Sequence, residues 1–445
     1  MRKVSTILPN GNIVNALFGV ASLFTLHVMS MWIRFVLVLA LLILAELQSF
    51  YCIKYFADSF VGSIRNSILA IYIFLSAFCW GAILLSRFFH SYIKIGFGKN
   101  FIIAFIIGLF IGKILIFVVM LIDDSRRIVL HFVSLFGGKT AVGSSKLANV
   151  SRSKFLIQSG IILAGLSIGA FIYGVQNRYR YWVNRIKLRV DNLPDNFRGL
   201  KIVQISDVHM GSFDDPSAVE KGIERILNLN PDIVFFTGDL VNNTADEVSE
   251  IYKKIFAKIK APMGVYSVLG NHDYGDYVSW DSEEEKKRNL EKLKGIHAEL
   301  GWKLLINEHV VLSKDGQKLA IVGVENWGAK AHFPKYGDLK KAFGGLGEDA
   351  SCFKILLSHD PSHWDEQVVS GYKDISLTFS GHTHGMQFGV DNKIFKFSPV
   401  QFIYNRWAGL YSVGSQFLYV NRGFGFLAYP GRVGIMPEIT FLELV

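Results

Sequence analysis

The sequence predicts an N-terminal α-helical membrane bundle followed by an α/β domain, and three observations carry that prediction. Apolar stretches of membrane-spanning length crowd residues 1–190 and stop there. The charge balance changes at the same place: 20 Lys and Arg stand against 4 Asp and Glu in residues 1–190, and 27 against 33 in residues 191–445. Beyond it, short β-branched or aromatic runs alternate with polar helical stretches, and each run ends in a cluster of polar residues.

Five apolar stretches lie near 13–31, 35–56, 66–86, 101–122 and 155–175. Each approaches the roughly 20 residues that cross a bilayer as a helix. Only "WIR" around Arg34 separates the first two, which predicts a tight helical hairpin. The repetition of apolar segments excludes a cleaved signal peptide. An integral protein of a bacterial cytoplasmic membrane is expected. Glu46 and Lys113 fall inside spans, where pairing with each other is a plainer expectation than a transport pathway. Basic residues divide almost evenly between the two sides of five spans, so they set no orientation. "SRSKFLIQSG", Ser151 to Gly160, resembles a twin-arginine export signal with Ser153 in place of its second arginine. That tips the expectation toward a C-terminal domain on the extracytoplasmic side.

The basic excess flanks the spans, and the acidic C-terminal part has no nucleic-acid footprint, so no nucleic-acid partner is expected. Cys52 and Cys79 sit in apolar stretches and Cys352 is alone in the C-terminal part. A disulfide within that part and a cysteine zinc site are therefore excluded.

From about 191 onward, "LKIVQISDVHMG", "PDIVFFTGDLVN", "GVYSVLGNHDYG", "FKILLSHDPSHW" and "ISLTFSGHTHG" share one grammar. A run of about five apolar residues ends in polar ones, with helical stretches between, such as "DPSAVEKGIERILNLN" capped by Asp215. This pattern predicts an α/β sheet with its site along the carboxyl edge. Asp207 and His209 are two apart and share a face of an extended segment, as do His382 and His384. Asp239 follows Gly238, whose missing side chain lets backbone approach a cation closely. With Asn271 and His359, these residues supply donors for two adjacent divalent ions and one bridging carboxylate. Two such ions clamp a phosphoryl group and make hydroxide near neutral pH. Mixed imidazole and carboxylate ligation suits Mn, Fe, Zn or Co better than Ca. His272 is a candidate to protonate the leaving oxygen.

The order D-x-H, GD, GNHD, H and GHTH over roughly 196–445 resembles the calcineurin-like metallophosphoesterases, and most nearly their membrane-attached branch. The resemblance implies a phosphoesterase domain over 191–445 after a transmembrane region over 1–190. It also implies a four-layer αββα sandwich around a binuclear centre. One metal would take Asp207, His209, Asp239 and His384, and the other Asp239, Asn271, His359 and His382. Asp239 would bridge, and His272 would act as general acid or transition-state stabiliser supported by Asp273. Members often read G-H-T-H-G-G-Q, whereas Met386 stands here at the second glycine, which bears on substrate fit rather than on the metals.

Arg422 and Arg432 flank glycines and are candidates for holding a substrate phosphate. Asp360, His363 and His332 are rim candidates, and the aromatic stretch 398–430 offers a surface for lipid headgroups or strand core. The expected function is a membrane-anchored phosphohydrolase cleaving a phosphomonoester, phosphodiester or diphosphate bond in a phosphorylated, lipid-linked substrate. An enzyme resembling the UDP-diacylglucosamine diphosphatases of lipid A synthesis is the alternative. A membrane sensor or transporter with a ligand-binding phosphoesterase-like domain is the rival from another class, and it predicts missing ligands or a missing His272.

Overall fold

The computed structural model describes residues 31–89, 98–136 and 146–445, apart from 331, 332, 334, 347, 348, 350 and 393. Apart from Met31, the apolar stretch expected near 13–31 lies outside the described residues, as does the rim candidate His332. The chain divides into two compact units, residues 1–94 with 106–169 and residues 95–105 with 170–445.

The first unit is helical. Its elements are α1 (Met31–Ala57), α2 (Gly62–Phe89), α3 (Gly98–Phe136) and α4 (Lys146–Gly174). All four are long and apolar enough to cross a bilayer. Their outward side chains stay exposed while Cys52, Ile116, Met120 and Ile157 form a small interior cluster. Close approach of α3 and α4 depends on small residues: a Cβ on Gly112 would lie 3.0 Å from Ala164. Glu46 and Lys113 pair at 2.5 Å. Tyr72, Trp80 and Ser76 complete their hydrogen bonds, as intramembrane charge requires.

The second unit holds two mixed six-stranded sheets. The first sheet runs in the order β1 (Trp182–Leu188), β14 (Glu438–Leu444), β2 (Lys201–Ile205), β3 (Ile233–Phe236), β4 (Val265–Ser267) and β5 (Lys303–Leu304). In the second, β12 (Gly409–Val413) and β13 (Gln416–Val420) lead to β9 (Ile375–Ser380), β8 (Phe353–Leu357), β7 (Gln317–Gly323) and β6 (Glu308–Lys314). A small hairpin of β10 (Val390–Asp391) and β11 (Lys396–Phe397) stands apart.

Strand periodicity sorts the core into layers. Ile202, Ile233 and Phe235 of the first sheet meet Leu319, Ile321, Leu357, Leu377 and Phe379 of the second. The alternate residues Val203, Val234 and Phe236 turn outward onto α5 (Pro216–Leu227), α6 (Glu250–Phe256) and α7 (Glu283–Glu299). On the far side, Ala320, Val322 and Leu356 pack against α8 (Leu339–Ala342) and Trp364. The result is the four-layer αββα sandwich. Asp215 caps α5 by accepting from the Ala218 amide at 3.0 Å, with Pro216 in the first turn.

Candidate metal centre

Each polar cluster stands where a strand ends. β2, β3 and β4 of the first sheet deliver Asp207 and His209, then Asp239, then Asn271 and His272. β8 and β9 of the second deliver His359, then His382 and His384. Two facing carboxyl edges therefore converge on one spot. The backbone turns sharply there: Asp207, His209, Asp239, His382 and His384 all have left-handed φ, between 49° and 74°. L-residues avoid that region, and its concentration here marks a functional site. Gly238 (φ 96°) is required by packing: a Cβ would lie 2.5 Å from the Gly270 nitrogen and 2.8 Å from His359 Nδ1. The neighbouring backbone and imidazole, rather than a cation, demand the missing side chain.

The donor atoms fall into two groups, Asp207, His209 and His384, and Asp239, His359 and His382. Within each group the donor atoms lie within 4.8 Å of one another. Two imidazole nitrogens, His209 Nε2 and His384 Nε2, face each other at 3.0 Å, with Asp207 Oδ1 3.3 Å from the latter. In the other group His382 Nδ1 lies 2.7 Å from Asn271 Oδ1 and 3.3 Å from His359 Nε2. Asp239 Oδ2 reaches both groups, 3.6 Å from His209 Nε2 and 3.1 Å from His359 Nε2.

Electrostatics favour cations at this place. Burial pushes the imidazoles of His209 and His382 down to about 3 and about 4, and that of His384 well below its usual value. All three are therefore held in the neutral form that ligates metal. Burial, aided by the Asp239 charge and opposed by His359, raises Asp207 to about 6; burial would raise Asp239 too, but His359, His272 and His209 pull Asp239 well below the carboxylate range. Burial would likewise lower His359, but Asp239 and Asp207 outweigh it and carry it up to about 10. Buried carboxylates that attract positive charge, beside neutral imidazoles, are a donor set that fits two divalent ions.

Outer partners fix the donors. His359 Nδ1 donates to the Thr237 carbonyl at 2.7 Å, leaving Nε2 for the site. The Tyr404 hydroxyl sits 2.8 Å from His382 Nε2 and donates to Asp360 Oδ2 at 3.0 Å. Asp207 accepts the His382 amide at 2.9 Å, and Asn271 donates to the Tyr277 hydroxyl at 2.8 Å. Tyr404 was hidden among nine aromatics in 398–430, most of which are core, and no spacing distinguished it. Asp360, expected at the rim, is wholly buried as the partner of Tyr404.

Several expectations change. The His272 ring is oriented by the Asn242 carbonyl, 2.7 Å from Nδ1, and not by Asp273. A backbone carbonyl leaves no side-chain signal in a sequence. Asp273 instead accepts the amides of Asp239 and Gly270 at 2.9 Å and of Leu240 at 2.8 Å, so it clamps the β3 and β4 loops. Neither arginine is available to a phosphate. Arg422 is tied to Asp391 and Glu438. Arg432 is fully buried behind His384, donating to the carbonyls of Arg422, Gly423 and Gly425. Their flanking glycines serve the packing of this segment. His363 is buried between Ser358 and Gln367 rather than at a rim. Met386 is 47% exposed with φ 51°, a left-handed position that suits the glycine of the resembling family.

Comparison with known proteins agrees with this geometry. A family model described as "Calcineurin-like phosphoesterase" matches residues 200–386. A second, "Probable Calcineurin-like phosphoesterase, transmembrane domain", matches residues 29–178. The "Transmembrane protein with metallophosphoesterase domain" of Danio rerio is 28% identical over 333 residues, 71% of this chain and 70% of that protein. Of the Bos taurus protein with the same name the chain spans 56%. The "UDP-2,3-diacylglucosamine pyrophosphatase LpxG" of Chlamydia trachomatis is 30% identical over 303 residues, 55% of this chain and 86% of that protein. The chain belongs to the calcineurin-like phosphoesterase family, as a membrane protein whose phosphoesterase domain follows transmembrane helices.

Proposed function

We propose that this protein is a membrane-bound hydrolase of phosphoester or diphosphate bonds, using two divalent ions from the Mn, Fe, Zn and Co group. The observation that carries the proposal is the pair of donor groups sharing Asp239, with His272 beside them. Asp207, His209 and His384 would hold one ion; Asn271, His359 and His382 would hold the other, and Asp239 would serve both. When bound, such a pair supplies Lewis-acid stabilisation of a phosphoryl group and lowers the pKa of a water. With Nδ1 committed to the Asn242 carbonyl, His272 Nε2 is the atom left to pass a proton to the leaving oxygen. The buried histidines and carboxylates keep the ligand set fixed while substrate enters.

A membrane-derived substrate is favoured because the same chain carries four helices of spanning length. Phospholipid, polyprenyl phosphate and lipid-linked diphosphate headgroups fit that description. The relative named for UDP-2,3-diacylglucosamine supports a second reading, a diphosphate joined to an acylated sugar. We favour the extracytoplasmic side for the domain, on the strength of the twin-arginine-like stretch before α4. The second reading needs the cytoplasmic side, so topology separates the two.

The decisive test is hydrolysis of an aryl phosphate and a bis-aryl phosphate by the full-length protein, with Mn²⁺ and with chelator. Activity is expected only with metal. Asp239→Asn should abolish it, and His272→Ala should lower turnover by about a hundredfold or more. Activity that survives both substitutions would sink the mechanism.

A further inference from the structure

The surface just after His384 is apolar and exposed. Met386 is 47% exposed, Phe395 56%, Phe402 66% and Ile394 97%, with Val390 and Ile403 also open. The aromatic stretch 398–430 contributes little else, since Tyr404, Trp407, Tyr419, Phe424, Phe426 and Tyr429 are buried. The exposed strip thus centres upstream of that stretch, on the β10–β11 hairpin, where Val390 pairs with Phe397 and Asp391 with Lys396.

Hydrogen bonds join the two arms of the hairpin. Asn392 Oδ1 accepts the amides of Ile394 at 2.9 Å and Phe395 at 2.8 Å, and the Asn392 amide donates to the Phe395 carbonyl at 3.1 Å. Phe395 stacks on Phe397 at 6.2 Å, and Phe397 meets Phe402 edge-on at 6.4 Å. Ser398 ties this segment to the metal-site loop by donating to the Gly385 carbonyl at 2.8 Å. Exposed apolar side chains gathered in this way are a feature that water disfavours, and patches of this kind mark contact sites.

The strip adjoins the end of a helix of spanning length. The last turn of α4, from Ala170, belongs to the same compact unit as the sheets. Phe171 of that turn stacks on Phe388 at 5.4 Å and meets Tyr429 edge-on at 5.0 Å. The Tyr429 hydroxyl donates to the Phe171 carbonyl at 2.6 Å. Phe171 also lies inside the apolar span Ser153–Asn177. The strip therefore begins at the end of a membrane helix, in the residues leading into β10.

We propose that the β10–β11 hairpin with Phe402 and Ile403 rests in the headgroup–acyl boundary of the bilayer, as an interfacial platform beside the metal centre. Apolar faces of this kind sit about 5–10 Å into that boundary. The platform presents the site to phosphates at the bilayer surface. That consequence rests on the phosphohydrolase reading, whereas the insertion itself does not.

The test uses the full-length protein in phosphatidylcholine–phosphatidylglycerol vesicles. Ile394→Cys carries an environment-sensitive fluorophore, and Val311→Cys, exposed on β6, is the reference. The native cysteines Cys52, Cys79 and Cys352 are buried and leave labelling selective. Lipids with shallow nitroxides should quench the fluorophore at 394 about twofold or more, while aqueous iodide quenches only the one at 311. Phe402→Cys repeats the measurement should the first variant fail to fold. Iodide quenching at 394 equal to that at 311 overturns the proposal. Protection from both quenchers, with cross-linking between two copies through residue 394, also overturns it by assigning the strip to a second chain. Neither readout requires metal or turnover, so an inactive protein with lipid quenching intact would count against the hydrolase reading alone.

Discussion

At the level of single residues, Tyr404 shows how a side chain far from any motif governs a ligand. Its hydroxyl lies between His382 Nε2 and Asp360, fixing the imidazole while Nδ1 faces the donor group. Outer partners of this kind typically alter metal affinity 10- to 100-fold. Tyr404→Phe should therefore weaken Mn²⁺ binding by about tenfold or more, as read by calorimetric titration, with the fold intact. Unchanged binding would show that the hydroxyl does not position His382. The seven donors were legible because each follows an apolar strand by two to four residues, which leaves a recognisable spacing. Tyr404 and the Asn242 carbonyl were not, since one acts across 22 residues and the other through backbone. Arg422 and Arg432 misled because a sequence shows a guanidinium but not the carboxylates and carbonyls that occupy it.

At the level of elements, the loop after β9 concentrates the backbone cost of the site. His382, His384, Gly385, Met386 and Gln387 all adopt positive φ between 50° and 74°. Gln387 repays part of that cost by donating to the carbonyls of Tyr429 and Gly431 and accepting the Leu427 amide. Met386 is exposed and offers no such compensation. Left-handed geometry costs an L-residue about 1–2 kcal/mol, partly offset by the greater chain entropy that glycine loses on folding. Met386→Gly should raise stability by about 1 kcal/mol, or roughly 2–4 °C in thermal midpoint. A lower midpoint would show that the methionine packs usefully. The strands themselves were readable from their apolar runs, but the pairing of β14 between β1 and β2 was not. It joins segments more than 200 residues apart, and local pattern carries no signal for such contacts.

For the whole molecule, the helices and their flanking charge bear on topology. Four described helices of spanning length put the start of α1 and the end of α4 on one side. Lys54, Arg65, Arg126, Arg127, Lys139, Lys146, Arg152 and Lys154 flank the opposite side, and Arg34, Arg87, Lys94, Lys99, Arg178, Arg180, Arg185, Lys187 and Arg189 flank the first, which is an almost even division. Charge therefore sets no side, and the proposal of an extracytoplasmic α/β domain rests on the twin-arginine-like stretch before α4. A tag after Val445 should be accessible to an impermeant reagent in intact cells; protection until lysis would reverse the assignment. The bundle was legible as apolar length and the sandwich as alternating strands and helices, whereas the division near residue 170 reflects contacts of Phe171 and Gly174 that no composition reveals.

Asp273 carries a consequence for how such a site diversifies. One carboxylate stitches together the backbone just beyond two neighbouring strand ends, so Asp239, Asn271 and His272 are held in one fixed relation. A substitution in either loop is felt throughout the ligand set, which leaves little freedom there for adapting to a different molecule. That freedom lies in the segments outside the stitch, around Tyr277 and from Met386 to Ile403. Selectivity can be rewritten along the rim while the reacting centre stays the same.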